Sequence, residues 1–326
     1  MKIFFCTNSD SPLAENNSVV LASVKLALLS LSVVEESFSP ASADIILIQE
    51  KNSFKNFRYI THLLNDPLLS RYYHKTFTIN DDDCATGILR GLYTSLPKSR
   101  FNTSLYAAVP FFTYPNELVF SQSQSVGEPQ YLAGWRGNIK SNSIRRKLLQ
   151  YWQGEPNFLL QTTTSWLNHL STEKQDYIDL ITNAKFSLCP AGWAAVSFRI
   201  YESMALGRCP VIIADEFVSP LGPDWTKFAL FLPEREIGNL EAFLAQWEPQ
   251  YQHLGQQARA AWFTYFSPEV LAKYYAQSLV TLFNRQSATS LATERQRWAT
   301  WQFYWSNNWT LPQRLWNKAK GLIRNH

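Results

Sequence analysis

An arginine and a glutamate early in the second half of the chain could bind a charged ligand. Arg199 and Glu202 lie three residues apart in the segment SFRIYESMALG, whose apolar side chains recur at helical spacing and leave this pair on a narrow polar arc. A guanidinium can bind phosphate through two hydrogen bonds, and a carboxylate can accept from both hydroxyls of a ribose. The pair therefore suits a nucleoside diphosphate. An exposed ion pair would fit the same spacing, and spacing alone does not separate the two.

The segments around this pair predict a strand, a loop, a helix and a second strand. The first strand covers 185–189, the helix covers 197–206 and the second strand covers 210–215. Gly207 suits the left-handed residue that ends a helix. The amides of the first helical turn would then be available to the same anion as Arg199.

Apolar runs alternate with helical segments through the whole chain, which is typical of α/β folds with parallel sheets. With 326 residues, two domains are expected. We predict one Rossmann-like domain at 1–155, a second at 156–285 and a helical tail at 286–326, with residues 97–130 as loops that shape a cleft wall. Other predicted strands cover 2–6, 44–49, 75–80, 131–135, 158–163 and 229–232, and other predicted helices cover 18–36, 144–152, 171–183, 239–247 and 267–283.

A set of residues at fixed offsets extends from the first of these two strands to the end of the second. They are Cys189, Pro190, Gly192, Ser197, Phe198, Arg199, Glu202, Gly207, Pro210, Val211, Ile212 and Asp215. This pattern resembles the donor-binding core of the exostosin family of inverting glycosyltransferases. The resemblance covers at least 176–240 and extends more weakly to the YLAGWRG segment and the first half of the chain. Ala191 departs from it, because family members often carry an arginine there.

The resemblance implies a fold, an activity and a set of binding residues. The fold is of the GT-B type, in which two Rossmann-like domains face a cleft, with the acceptor on the first domain and the donor on the second. The activity is transfer of a sugar from a nucleotide-sugar to a hydroxyl of a glycan or glycoconjugate acceptor, with inversion and without a metal or other cofactor, in polysaccharide or glycoconjugate synthesis. The donor-binding residues would be Gly192, Ser197, Phe198, Arg199, Glu202 and Asp215, with Arg136 and Arg145 as further cations.

Acidic residues after the strand at 75–80 are the candidates for catalysis. An inverting transfer needs a base that removes the acceptor proton, and Asp82 and Asp83 are favoured over His74 and Glu117. Asp81 and Asp83 also form an Asp-x-Asp pair, which in metal-dependent glycosyltransferases holds Mn²⁺ or Mg²⁺ against the diphosphate. A polar loop or a helix start would use the same residues.

The composition excludes several other classes of protein. Hydrophobic residues make up 46% of the chain and charged residues 17%, which indicates compact globular packing. A net charge of +4 is too weak for a dedicated nucleic-acid binder, so no nucleic acid partner is expected. The four cysteines show no C-x-x-C spacing and are predicted as reduced core residues. The alternative to an enzyme is a non-catalytic carbohydrate-binding or complex-partner protein with the same fold, because Ala191 departs from the pattern and no base is obvious.

The tail at 286–326 combines tryptophans with basic side chains. Its tryptophans are Trp298, Trp301, Trp305, Trp309 and Trp316. We expect these rings to pack a terminal helix back on the first domain, and the second possibility is peripheral contact with a membrane interface. Neither a signal peptide nor a segment of membrane-span length is visible. The expected location is the cytoplasm, with peripheral binding to the inner face of a membrane as the further option.

Overall fold

The computed structural model describes residues 1–51, 57–83, 87–121, 127–163, 171–285 and 289–300. Within these ranges the chain forms two compact units. Unit 1 comprises Met1–Leu96, Arg100–Ala107 and the chain from Tyr275 onward, and unit 2 comprises Pro97–Ser99 and Ala108–Tyr274. The chain therefore divides near residues 96–108 and not at the predicted position of 155. The reason is strand pairing, because the strand that begins at Tyr131 pairs with two strands of unit 2.

Unit 1 contains a six-stranded sheet with the order β2-β1-β3-β4-β5-β6. Its strands are β1 (Lys2–Cys6), β2 (Glu35–Glu36), β3 (Ile45–Gln49), β4 (Thr76–Asn80), β5 (Arg90–Tyr93) and β6 (Tyr106–Ala108), and its first helices are α1 (Val19–Leu29), α2 (Phe57–Asn65) and α3 (Leu69–Tyr72). The first five strands pair in parallel. All residues of β3 are buried, as expected for an inner parallel strand covered on both faces.

Several elements of unit 1 differ from the sequence prediction. Helix α1 starts after its cap Ser18 but stops at Leu29, because residues 35–36 form the edge strand β2 beside β1. Helices α2 and α3 and strands β2, β5 and β6 were not predicted. Gly91 in β5 has a φ of 148°, and a side chain there would collide with the backbone of Thr78 in β4. Glycine is therefore required at this position, and it also weakens the apolar pattern by which a strand is recognised.

Unit 2 contains a five-stranded sheet with the order β11-β10-β9-β7-β8, in which all neighbours are parallel. Its strands are β7 (Tyr131–Gly137), β8 (Phe158–Thr162), β9 (Ala184–Pro190), β10 (Cys209–Ile213) and β11 (Leu230–Phe231). Its helices are α4 (Ser143–Trp152), α5 (Ser171–Thr182), α6 (Phe198–Ala205), α7 (Leu240–Ala245) and α8 (Tyr251–Ala261). The sequence predicted every one of these strands and helices except α8. With the sheet of unit 1, this confirms the α/β class with two parallel sheets.

The strand order of unit 2 reverses between β7 and β9. Strand β8 lies beyond β7 on one side, and β10 and β11 lie beyond β9 on the other. In doubly wound sheets, ligands bind at the carboxyl ends of the strands where the order reverses. Gly137 and Pro190 are the last residues of β7 and β9, so the topology predicts a ligand site beside them.

Two C-terminal helices complete the described chain, α9 (Pro268–Arg285) and α10 (Leu291–Ala299). Helix α10 packs on unit 1, where Glu294 forms a buried salt bridge with Arg90 and the ring of Trp298 stacks on Tyr73 at 4.7 Å between centroids. The predicted packing of a terminal helix on the first domain is thus confirmed for α10. The later tryptophans of the tail lie outside the described residues. Of the helices described, none is both long and apolar enough to cross a membrane.

Candidate functional site

A hollow in unit 2 lies beside the carboxyl end of β7. It has an empty volume of about 520 Å³, part of which is open to solvent. Its walls are formed by Pro115, Asn116, Arg136, Thr163, Glu173, Lys174, Tyr177, Phe198, Arg199 and Glu202. Arg199 and Glu202 of α6 therefore border the same cavity, which agrees with the ligand-binding interpretation of their spacing. The position of the hollow also agrees with the reversal of strand order in this sheet.

The Arg199 guanidinium is held against β7. Its Nε donates a hydrogen bond of 2.7 Å to the carbonyl oxygen of Arg136, and its Cζ lies 5.9 Å from the ring centroids of Trp135 and Tyr177. Gly137 makes room for it, since a Cβ at that position would lie 2.5 Å from Nη2. Within the described ranges, the two terminal nitrogens of Arg199 have no acceptor. Their N–H groups are therefore available to an anionic ligand.

Glu202 is a buried carboxylate, with 6% of its surface exposed. Burial raises its pKa above the ordinary value of 4.5, and the Arg199 charge and the nearby Tyr177 hydroxyl partly offset that rise. No direct ion pair joins the Glu202 carboxylate to Arg199, although both of these described residues line the hollow. The Tyr177 hydroxyl is also buried and makes no hydrogen bond of good geometry in the described chain. A ligand that donates hydroxyl hydrogens would satisfy this carboxylate.

Three other predicted residues support the hollow. Arg136 lines it and forms a salt bridge with Asp176, with an N···O distance of 3.5 Å. Ser197 caps α6 by accepting a hydrogen bond from the backbone N–H of Arg199. Phe198 follows the cap and contributes an aromatic wall. Ser197 thus fixes where α6 begins, and Phe198 and Arg199 of the first turn line the hollow.

Arg145 and Gly192 were predicted to bind the donor, but neither lines the hollow. Arg145 is buried, and it donates hydrogen bonds of 2.9 Å to the carbonyl of Ala191 and 3.0 Å to that of Asn138. The carbonyl of Gly192 accepts a hydrogen bond of 3.1 Å from Asn142. These contacts join the loop after β7 to the loop after β9. In the structure both residues brace these loops, Arg145 through backbone carbonyls and Gly192 through the side-chain amide of Asn142.

Asp215, the third predicted residue outside the hollow, braces another turn. Its carboxylate accepts a hydrogen bond of 3.0 Å from the backbone N–H of Glu234, whose carboxylate accepts from the N–H of Asp215 at 3.3 Å. The pair connects the end of β10 to the turn after β11. Of the predicted donor-binding residues, Arg136, Phe198, Arg199 and Glu202 line the hollow and Ser197 caps the helix that carries three of them.

The predicted catalytic residues lie in unit 1, at the carboxyl end of β4. The N–H of Asp82 donates a hydrogen bond of 3.1 Å to the side-chain oxygen of Asn80, and Asp83 is exposed. Burial raises the pKa of Asp81, whose carboxylate accepts a hydrogen bond of 3.4 Å from Gln49. The acidic cluster is thus at the strand end where the sequence placed it.

The remaining candidates for a base differ in their burial and in the unit to which they belong. Burial and the nearby charge of Lys75 lower the pKa of His74. Glu117 belongs to unit 2 and not to the first domain, and it is exposed. Glu50, which was not among the predicted candidates, is buried directly after β3, and its carboxylate accepts a hydrogen bond of 3.2 Å from Asn80. The position of Glu50 directly after an apolar strand was the feature of the sequence that could have identified it as a candidate base.

Six lining residues were not predicted from the sequence, namely Pro115, Asn116, Thr163, Glu173, Lys174 and Tyr177. Glu173 and Lys174 lie one helical turn before Tyr177 on α5, so the three share one face of a helix that was itself predicted. Their spacing was the feature of the sequence that could have placed these three residues together. Pro115 and Asn116 lie within residues 97–130, which were predicted as loops that shape a cleft wall, but the lack of periodicity there singled out neither residue.

Comparison with known proteins gives both a family and individual relatives. The model of the Exostosin GT47 domain matches residues 62–247, more than half of the chain. The probable glucuronosyltransferase GUT1 of Oryza sativa subsp. japonica is 29% identical over 135 residues, which cover 41% of this chain and 28% of that protein. The Exostosin-1 homolog of Caenorhabditis elegans is 24% identical over 227 residues, which cover 61% of this chain and 59% of that protein.

The chain spans only part of its relatives. It covers 22% of the probable glycosyltransferase At5g03795 of Arabidopsis thaliana, to which it is 28% identical over 36% of its own length. Among solved structures, that of TarM has a TM-score of 0.41 and 10% identity over 80% of this chain and 58% of that chain, a likeness too weak to support an assignment. The family match includes α6 and every residue of the hollow. The chain therefore belongs to the exostosin GT47 family.

Proposed function

We propose that the protein is a glycosyltransferase that transfers a sugar from a nucleotide-sugar donor to a hydroxyl of a glycan or glycoconjugate. The observation that carries the proposal is the placement of Arg199 and Glu202, one helical turn apart on α6, in the wall of one hollow. Membership of the exostosin GT47 family supports it, and so do the names of relatives as glucuronosyltransferases and a xylosyltransferase.

In this proposal, Arg199 binds the diphosphate of the donor. Its terminal N–H groups would each donate to a phosphate oxygen, while its Nε stays on the carbonyl of Arg136. The Arg136 guanidinium lines the same hollow and adds a second positive charge. These charges would stabilise the nucleoside diphosphate as it leaves, in a partly enclosed site where electrostatic interactions are stronger than in water.

Glu202 would accept hydrogen bonds from the ribose hydroxyls of the same donor. The acceptor oxygen attacks the anomeric carbon of the sugar, the bond from that carbon to the diphosphate oxygen breaks, and the acceptor proton passes to a base. A single displacement of this kind inverts the anomeric configuration. Asp82 and Asp83 are the proposed bases, and no metal is assigned to the reaction.

The first experiment measures donor binding. UDP-, GDP-, ADP- and CMP-sugars, with UDP-glucuronic acid and UDP-xylose among them, are screened by thermal shift, and the best ligand is titrated. Arg199→Ala should weaken its binding by about 10- to 150-fold, the loss expected for a charged hydrogen bond of about 1.5 to 3 kcal/mol. Arg235→Ala is the control, because Arg235 is an arginine of unit 2 with 83% of its side chain exposed. Equal binding by wild type and Arg199→Ala would contradict the proposal.

The second experiment measures transfer to a panel of glycan acceptors, with the product anomer read by NMR. We expect product with inverted configuration, and Asp82→Asn or Asp83→Asn should lower kcat without changing donor affinity. Activity that EDTA abolishes and Mn²⁺ restores would favour the metal-dependent alternative with Asp81 and Asp83. Donor binding without product or donor hydrolysis would favour the non-catalytic alternative.

A further inference from the structure

We propose that Asn116 selects the ligand of the hollow, by accepting a hydrogen bond from the nucleotide sugar at its side-chain oxygen. This inference rests on the proposed function and adds a specificity-determining residue to it. The ligand group that fits is an N–H or O–H donor, which either the nucleoside or the transferred sugar can supply.

The hydrogen bonds of Asn116 leave one atom of its side chain unsatisfied. Its Nδ2 donates a hydrogen bond of 3.1 Å to the backbone carbonyl of Lys174, and both residues line the hollow. Because the nitrogen is engaged with an acceptor, the other atom of the amide must be the oxygen. Asn116 is only 6% exposed, and in the described chain its Oδ1 is buried without a hydrogen-bond partner. Buried acceptors are nearly always paired, so a ligand donor is the natural partner in the wall of a binding site.

Three contacts position the segment that carries Asn116. The ring of Phe111 packs on Phe198 of α6 with 4.0 Å between centroids, and the backbone carbonyl of Asn116 accepts from the N–H of Val119 at 3.4 Å. Together with the bond to Lys174, these contacts hold the amide at a defined position. A preorganised acceptor adds affinity at little entropic cost.

Asn116 differs from the charged residues of the hollow in what it can select. Arg199 and Glu202 respond to charge as well as to hydrogen bonding, whereas the Asn116 oxygen is neutral and can only accept. A nucleotide sugar with a donor group at that position gains a hydrogen bond, and one with an acceptor or a methyl group there does not. The residue therefore acts on the choice among nucleotide sugars more than on the binding of diphosphate in general.

The test titrates wild type, Asn116→Ala and the control Asn157→Ala with UDP, GDP, ADP and CDP, and then with the sugar nucleotide of the base that binds best. Asn157 is an exposed asparagine of unit 2 whose Nδ2 bonds to Glu241 at 2.7 Å, and it does not line the hollow. We expect about 2- to 10-fold weaker binding for Asn116→Ala, the loss of one neutral hydrogen bond, and no change for the control. Thermal unfolding without ligand checks that each variant folds, and Asn116→Ser serves if the alanine variant does not.

The two ligand series separate the possible sources of the donor group. Weaker binding of the nucleoside diphosphate itself assigns the donor to the base or ribose, and weaker binding of the sugar nucleotide alone assigns it to a sugar hydroxyl. Unchanged affinity for both overturns the inference, and if Arg199→Ala still weakens binding in that case, the proposed function stands. If wild type binds none of these nucleotides, both fail.

Discussion

Replacing Gly137 by alanine should weaken nucleotide binding without unfolding the protein. A Cβ on Gly137 would lie 2.5 Å from Nη2 of Arg199 and 3.0 Å from its Cζ, which is too close for either contact. The guanidinium is the end of a flexible side chain, so it should move and give up its hydrogen bond to the Arg136 carbonyl. Because β7 is an ordinary extended strand at this point, alanine fits the backbone itself.

The two expected effects differ in size. Displacement of Arg199 should remove a charged hydrogen bond to the ligand of about 1.5 to 3 kcal/mol, or about 10- to 150-fold in Kd. The added methyl group also comes within 3.0 Å of the buried ring of Trp135, for which we expect a loss of about 1 kcal/mol in the free energy of unfolding. Titration with the best nucleotide sugar measures the first effect, and urea unfolding measures the second.

Two comparisons make this prediction specific to Arg199. Gly127→Ala is the matched control, because a Cβ on Gly127 would meet nothing within 4 Å. In an Arg199→Ala background, Gly137→Ala should cause little further loss of affinity, because both changes remove the same interaction. Full additivity of the two losses, or wild-type affinity in Gly137→Ala alone, would refute the reasoning.

Two further predictions concern buried charges. Burial raises the pKa of Glu202 in the folded protein above its unfolded value, so ionisation of Glu202 removes stability as the pH rises through the range above 4.5. Glu202→Gln should therefore raise the free energy of unfolding at pH 7 in urea titrations and abolish this pH dependence, while it lowers nucleotide affinity about tenfold or more; a less stable variant would contradict this. Glu294→Ala removes a buried carboxylate that forms salt bridges with both Arg90 and Arg297, and it should cost about 3 to 5 kcal/mol. Glu36→Ala breaks the more exposed pair with Lys25 and should cost under about 1 kcal/mol; similar losses in urea unfolding would oppose this account.

Local signals account for the predicted residues of α6 that the structure places in the wall of the hollow. The cap Ser197 and the C-terminal Gly207 fix the ends of α6, and the polar arc fixes which of its residues face the cavity. These features depend on neighbours within one or two helical turns. That Arg199 and Glu202 share one side of α6 could therefore be predicted before any tertiary contact was known.

Three differences between the sequence prediction and the structure depend on contacts between distant parts of the chain. The unit boundary was missed because the pairing of β7 with β8 and β9 decides which unit residues 131–152 join. Arg145 has the residue type of a phosphate ligand, and only the positions of the Ala191 and Asn138 carbonyls show that it braces two loops. Asn116 reaches the hollow through a hydrogen bond to a residue 58 positions away, which no local pattern encodes.

The most direct test of the central claim is a crystal structure of the protein with the nucleotide sugar that binds best. We predict diphosphate oxygens within about 3 Å of the terminal nitrogens of Arg199 and ribose hydroxyls within about 3 Å of the Glu202 carboxylate. A nucleotide bound elsewhere on the chain, with neither side chain in contact with it, would contradict the account.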